Sequence, residues 1–107
     1  MTDASSQTTE ILAATPLSGE TLSLIELCRR LQVDADWITE LVHHGAIDPT
    51  DGAVGTWEFE AITVVRVARA KRLRQDLELT PAGVAVVLEL LDQISDLRIQ
   101  LAQRGRE

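Results

Sequence analysis

Apolar residues recur at helical spacing in four stretches of this chain, and cap and turn residues mark the breaks between them. In the first stretch Leu24, Leu27, Cys28 and Leu31 share one helical face. Ser23 ahead of it, with Glu26 three residues on, makes the capping-box pattern of a hydroxyl N-cap and a carboxylate that reaches back. An ordered chain is therefore expected from Ser23, with this helix ending near Gln32-Val33. Asp34 is suited to cap a second helix from Ala35 to His44, with Trp37, Ile38, Leu41 and Val42 on its apolar face. Gly45 supplies the left-handed residue just past its end. Two helices of about eight and ten residues, joined by a turn of about three, make a helix-turn-helix.

Residues 46–58 break that rhythm. Pro49, Gly52 and Gly55 punctuate the stretch, and Trp57-Glu58-Phe59 alternates apolar with acidic. This predicts a two-stranded wing with its turn at Asp51-Gly52 or Gly55. A third helix is predicted from Glu60 to Leu77, with Phe59, Ile62, Val65, Ala70, Leu73 and Leu77 inward and Arg66 and Arg69 near that face. Thr80 as N-cap and Pro81 as first helical residue then open a fourth helix, expected to run to Arg104. It carries two stripes: Val84, Val87, Leu88 and Leu91, and a heptad-like series Leu90, Ile94, Leu97 and Leu101. A domain this small has room for one of them. The second is expected to pair with another subunit as a short coiled coil. The reading is mainly α: a flexible tail over 1–21, a winged helix-turn-helix over 22–79, and a dimerisation helix over 80–107.

Composition narrows the function. The 107 residues are 45% apolar and 25% charged, the balance of a globular domain. Ten Lys and Arg against 17 Asp and Glu give a net charge of -7, which repels a phosphate backbone at long range. One cysteine rules out an intrachain disulfide framework and a cysteine-based zinc site. No apolar run approaches the roughly 20 residues of a spanning helix, and the start lacks a basic and apolar leader, so a cytoplasmic protein is expected.

No catalytic constellation emerges, and neither a cofactor nor a metal is expected. His43 and His44 are neighbours on a helix, so their rings diverge by about 100° instead of converging on one ion. They read as a polar helix end that suits the dipole. Cys28 lies on an apolar face, as a small core residue would.

Charge placement is the informative feature. Seven acidic residues, Asp34, Asp36, Glu40, Asp48, Asp51, Glu58 and Glu60, fall between Leu31 and Glu60 with no Lys or Arg among them. Five basic residues, Arg66, Arg69, Lys71, Arg72 and Arg74, then follow with no acid between them. In a helix-turn-helix the second helix enters the major groove. Here its outward face is Asp36, Thr39, Glu40 and His43, where base reading calls for Arg, Lys, Asn or Gln. Carboxylates facing phosphates cost affinity. The geometry is that of a DNA reader, whereas the charge suits a basic protein surface. A merely solvated acidic face fits the composition equally well. In the basic run, Arg66 and Arg69 are placed to pair with Glu26 or other acids of the first two helices, and Lys71 and Arg74 to point into solvent.

The order of elements resembles the winged-helix domain of the MerR superfamily and, within it, the CbpM family of chaperone modulatory proteins. The carrying segments are Glu26-Leu27-Cys28, Gly45-Ala46-Ile47-Asp48-Pro49, Trp57-Glu58-Phe59 and Arg72-Leu73-Arg74-Gln75-Asp76-Leu77-Glu78-Leu79. Pro81-Ala82-Gly83-Val84-Ala85, Leu90-Leu91-Asp92-Gln93-Ile94 and Leu97-Arg98 continue it, so that it spans residues 22–104. The tail before Ser23 is longer than the family's, and the second helix is the part least like it. The resemblance implies a protein that binds the J-domain of a DnaJ-like co-chaperone of the CbpA type. It implies inhibition of both the co-chaperone activity and the DNA binding of that partner. Asp34, Asp36, Glu40, His43 and His44 are the expected J-domain contacts. Val87, Leu90, Ile94, Leu97 and Leu101 are the expected interface of a homodimer, antiparallel by the same resemblance. The alternative is a MerR-type transcriptional regulator of the heat-shock repressor kind that binds DNA directly.

Overall fold

The computed structural model describes residues 21–50 and 52–105. Strand β1 (Thr21–Ser23) leads into helix α1 (Leu24–Leu31), and helix α2 (Ala35–His43) follows after a short turn. A single 3₁₀ turn (Val54–Thr56) precedes strand β2 (Glu58–Glu60); helices α3 (Ile62–Leu77) and α4 (Pro81–Arg104) complete the chain. Of the expected tail over 1–21 only Thr21 is described, and it lies in β1; residues 1–20 lie outside the described residues, as does Asp51 of the wing turn expected at Asp51-Gly52 or Gly55.

Local signals set the helix starts. Ser23 Oγ accepts from the Glu26 N–H at 3.1 Å, and the Glu26 carboxylate accepts from the Ser23 N–H at 2.9 Å, so the capping box is closed. The second bond, from the Ser23 backbone, holds the Glu26 carboxyl below its ordinary range. Asp34 caps α2 through the Trp37 N–H at 2.7 Å, and Thr80 caps α4 through the Gly83 N–H at 3.1 Å. Gly45 takes φ +78°, the left-handed conformation that closes α2.

The strands depart from expectation. Glu58–Glu60 pairs antiparallel with Thr21–Ser23, in the register Thr21↔Glu60, Leu22↔Phe59 and Ser23↔Glu58. Among the described residues no hairpin forms within 46–58. What remains of the wing is Thr50, whose N–H and hydroxyl both donate to the Glu58 carbonyl at 2.7 and 3.1 Å. Order also begins earlier than Ser23, because Leu22 is buried beside Phe59 in the register that the pairing imposes.

The core runs from Leu22, Leu27 and Leu31 through Trp37, Ile38 and Leu41 to Phe59, Val64, Val67, Val84 and Leu88. Trp57 meets Phe59 edge-on, with ring centroids 6.0 Å apart. Helix α2 packs on both α1 and α4, which clamps the helix-turn-helix against the last helix. The buried face of α3 is Thr63, Val64, Val67 and Ala70. This corrects the expected face, since Ile62 is 67% and Leu77 59% exposed. Phe59 belongs to β2, so a count that starts there begins out of phase. Helix α4 follows the expected division: Val84 and Leu88 are buried, Val87 and Leu91 half-buried, and Leu90, Ile94, Leu97 and Leu101 exposed.

Candidate protein-binding face

The outer face of α2 is set by its inner face. With Trp37, Ile38 and Leu41 buried, the helical period turns Asp36, Glu40 and His43 to solvent. Glu40 meets His44 at 3.5 Å, one turn on. Thr39 bends back to donate to the Ala35 carbonyl at 2.8 Å, which removes it from the outward set. Asp34 is exposed, but one carboxylate oxygen is committed to the cap. Of the five expected contact residues, Asp36 and His43 point outward, Glu40 and His44 meet each other at the surface, and Asp34 serves the helix cap first.

Three of the five residues of the basic run are engaged within the molecule. Arg66 donates from Nε to the Ala46 carbonyl at 2.6 Å. Its two terminal nitrogens meet the two Asp92 oxygens at 3.2 and 3.1 Å, a fork-to-fork pair with α4. Lys71 donates to the Leu31 carbonyl at 2.8 Å and so completes the end of α1. The Arg74 guanidinium lies 3.9 Å from the centre of the Trp37 ring. These contacts correct two expectations: Arg66 pairs with α4 rather than with acids of α1 and α2, and Lys71 and Arg74 do not point freely into solvent. Arg69 and Arg72 remain exposed. The three bound cations each join α3 to another element.

A groove of about 780 Å³ opens at the far end of α2. Ile47, Ala85 and Val86 form its apolar part, and Asp48, Glu60, Glu89 and Asp92 its acidic part. His44 lines it too, so the acidic side of α2 and the groove are continuous through the Glu40–His44 contact. In the sequence Asp48 and Glu60 stand out only as members of an acidic run, and Glu89 and Asp92 do not stand out as site residues. A signal for them exists: Ala82, Ala85, Val86, Glu89 and Asp92 fall on one helical face, between the two apolar stripes of α4.

Cys28 is half-buried, and burial followed by the nearby Asp34 charge pushes its thiol up, away from nucleophile chemistry. Among the described residues no three His, Cys, Asp or Glu side chains stand close enough together to hold a metal ion. Nor, among them, is any helix long and apolar enough to cross a membrane.

A family model described as MerR HTH family regulatory protein matches residues 22–104. The match begins at the buried leucine of β1 and ends with the last residue of α4. Chaperone modulatory protein CbpM from Pseudomonas entomophila (strain L48) is 40% identical over 77 residues, 72% of this chain and 76% of that relative. The chain belongs to the CbpM family. A second member, chaperone modulatory protein CbpM from Escherichia coli O1:K1 / APEC, is 33% identical over 78 residues, 73% of this chain and 77% of its own length. Membership places this chain among the MerR helix-turn-helix regulators, the fold class expected from its element order. In this chain the outer face of the second helix of that motif carries carboxylates where a DNA reader needs cations.

Proposed function

We propose that the protein is a chaperone modulator that binds the J-domain of a DnaJ-like co-chaperone of the CbpA type. Binding blocks the stimulation of DnaK ATPase by that co-chaperone and its attachment to DNA. The protein acts in the cytoplasm as a homodimer, paired through Val87, Leu90, Ile94, Leu97 and Leu101 of α4. The observation that carries the reading is the outward face of α2, where Asp36 and Glu40 stand exposed, while Arg66, Lys71 and Arg74 of α3 are held by internal partners. A J-domain presents a basic helix to its Hsp70, and an acidic helix face competes for it by charge. Asp36 and Glu40 supply the charge of the contact, His43 and His44 lie at its edge, and Asp34 contributes its uncommitted oxygen. The names of the relatives support the modulator role. Charges at the rim of such a contact act mainly through the association rate.

Asp36→Lys, Glu40→Lys is the test, because both side chains are exposed and the double variant is expected to fold as the wild type does. It is expected to bind the J-domain weakly and to leave the DnaK ATPase stimulated. Unchanged inhibition would move the contact elsewhere. The helix-turn-helix geometry favours one rival, direct DNA binding. A wild-type protein that held a specific duplex tightly at physiological salt and ignored the J-domain would establish that rival instead.

A further inference from the structure

The groove between the end of α2 and the first half of α4 lies beside the face just proposed and differs from it in kind. The α2 face is convex and polar. The groove is concave, with Val86 56% exposed beside the buried Ile47, and with carboxylates around this apolar strip. Of its four acids, Asp92 is neutralised by Arg66, and Asp48, Glu60 and Glu89 have no ion-pair partner among the described residues. Those three come from three elements: the loop after α2, strand β2 and helix α4. They are too dispersed to share one point cation. Among the described residues Arg66 is the only guanidinium in the lining, and both its ends are engaged. An occupant that matches this arrangement carries several separated positive charges on one side and an aliphatic strip along the same side. A basic amphipathic helix has that form, with the methylene stems of Lys and Arg lying on apolar surface and their heads reaching the rim.

We infer that this groove is the seat of the partner's basic helix, and that the acidic face of α2 is the steering surface that leads to it. The inference rests on the J-domain reading and deepens it by naming where the helix comes to lie. The Glu40–His44 contact makes the two surfaces continuous, so a helix drawn to Asp36 and Glu40 passes directly to the groove mouth. The two surfaces then have separable signatures. Reversing charge on α2 slows association and does so less at high salt, because the Debye length falls from about 10 Å at 0.1 M to about 3 Å at 1 M. Changing the groove speeds dissociation, and the part owed to Val86 persists at 1 M salt.

The experiment measures association and dissociation rates of the full-length protein with two probes: the isolated J-domain, and a synthetic Leu/Lys amphipathic helix about 18 residues long. Glu60→Lys, Glu89→Lys and Val86→Ser are compared with Asp36→Lys, Glu40→Lys, and thermal melts confirm that each variant is folded. The groove variants are expected to raise the dissociation rate about tenfold, and the α2 variant to lower the association rate. J-domain binding that ignores every groove variant overturns the groove and leaves the functional reading intact. Groove-dependent binding of the peptide without any binding of the J-domain overturns the functional reading and keeps the groove. A wild type that binds neither probe overturns both.

Discussion

Helix α4 is one continuous run of 24 residues whose two halves meet different surroundings. The first half is capped by Thr80, starts on Pro81, buries Val84 and Leu88 in the core and is pinned by the Arg66–Asp92 fork. From Ser95 to Arg104 every residue is exposed, and Leu97 at 57%, Ile99 at 54% and Leu101 at 66% are bare aliphatic side chains. An isolated helix of that length is marginal in water, because propagation barely repays nucleation. The second half therefore holds its shape by extension from the first. The contrast separates two uses of one apolar periodicity: Val84 and Leu88 close a core, while Ile94, Leu97 and Leu101 have no core of their own to join.

The largest expected effect breaks the second half. Sedimentation at tens of micromolar should show a dimer for the wild type and a monomer for Leu97→Glu, since an interface of micromolar Kd is worth about 8 kcal/mol and does not survive a charge in its seam. A monomeric wild type would return this stripe to plain exposure. Next, Leu88→Ala should cost about 2–5 kcal/mol in urea unfolding, the usual toll of a buried leucine truncation. Ile99→Ala should stay within about 0.5 kcal/mol, as an exposed position does. Equal losses at the two sites would mean that both halves are packed alike. The smallest effect concerns the cap. Thr80→Ala should cost about 1 kcal/mol, because it removes one bond to the Gly83 N–H at the first turn, and it should leave the oligomeric state unchanged.

The candidate site divides along similar lines. Asp36, Glu40 and His43 are legible from the chain because the same period that buries Trp37 and Leu41 turns them out. The groove is not, because Asp48, Glu60 and Glu89 meet only when the loop, the strand and α4 are brought together. The internal commitment of Lys71 and Arg74 is equally hidden: a cation that closes a helix end and one that solvates freely look alike in a string of basic residues.

What the sequence by itself determined is the starts of α1, α2 and α4 and the stop of α2, because a cap acts within one turn and needs nothing else; the start of α3, expected at Glu60, falls at Ile62 because Glu60 is taken into β2. Ser23, Asp34, Gly45 and Thr80 act within one turn of their own position, and all four do what their chemistry predicts. Tertiary structure alone decided which strand pairs with Glu58–Glu60, since the backbone bonds of β2 can be met by any extended partner, and Leu22 wins by also filling the core beside Phe59. It decided the buried face of α3 as well. Ile62, Val64, Val65, Val67, Ala68 and Ala70 spread aliphatic side chains round most of that helix, so the period leaves its inward side open, and contact with α1, β2 and α4 selects Val64, Val67 and Ala70.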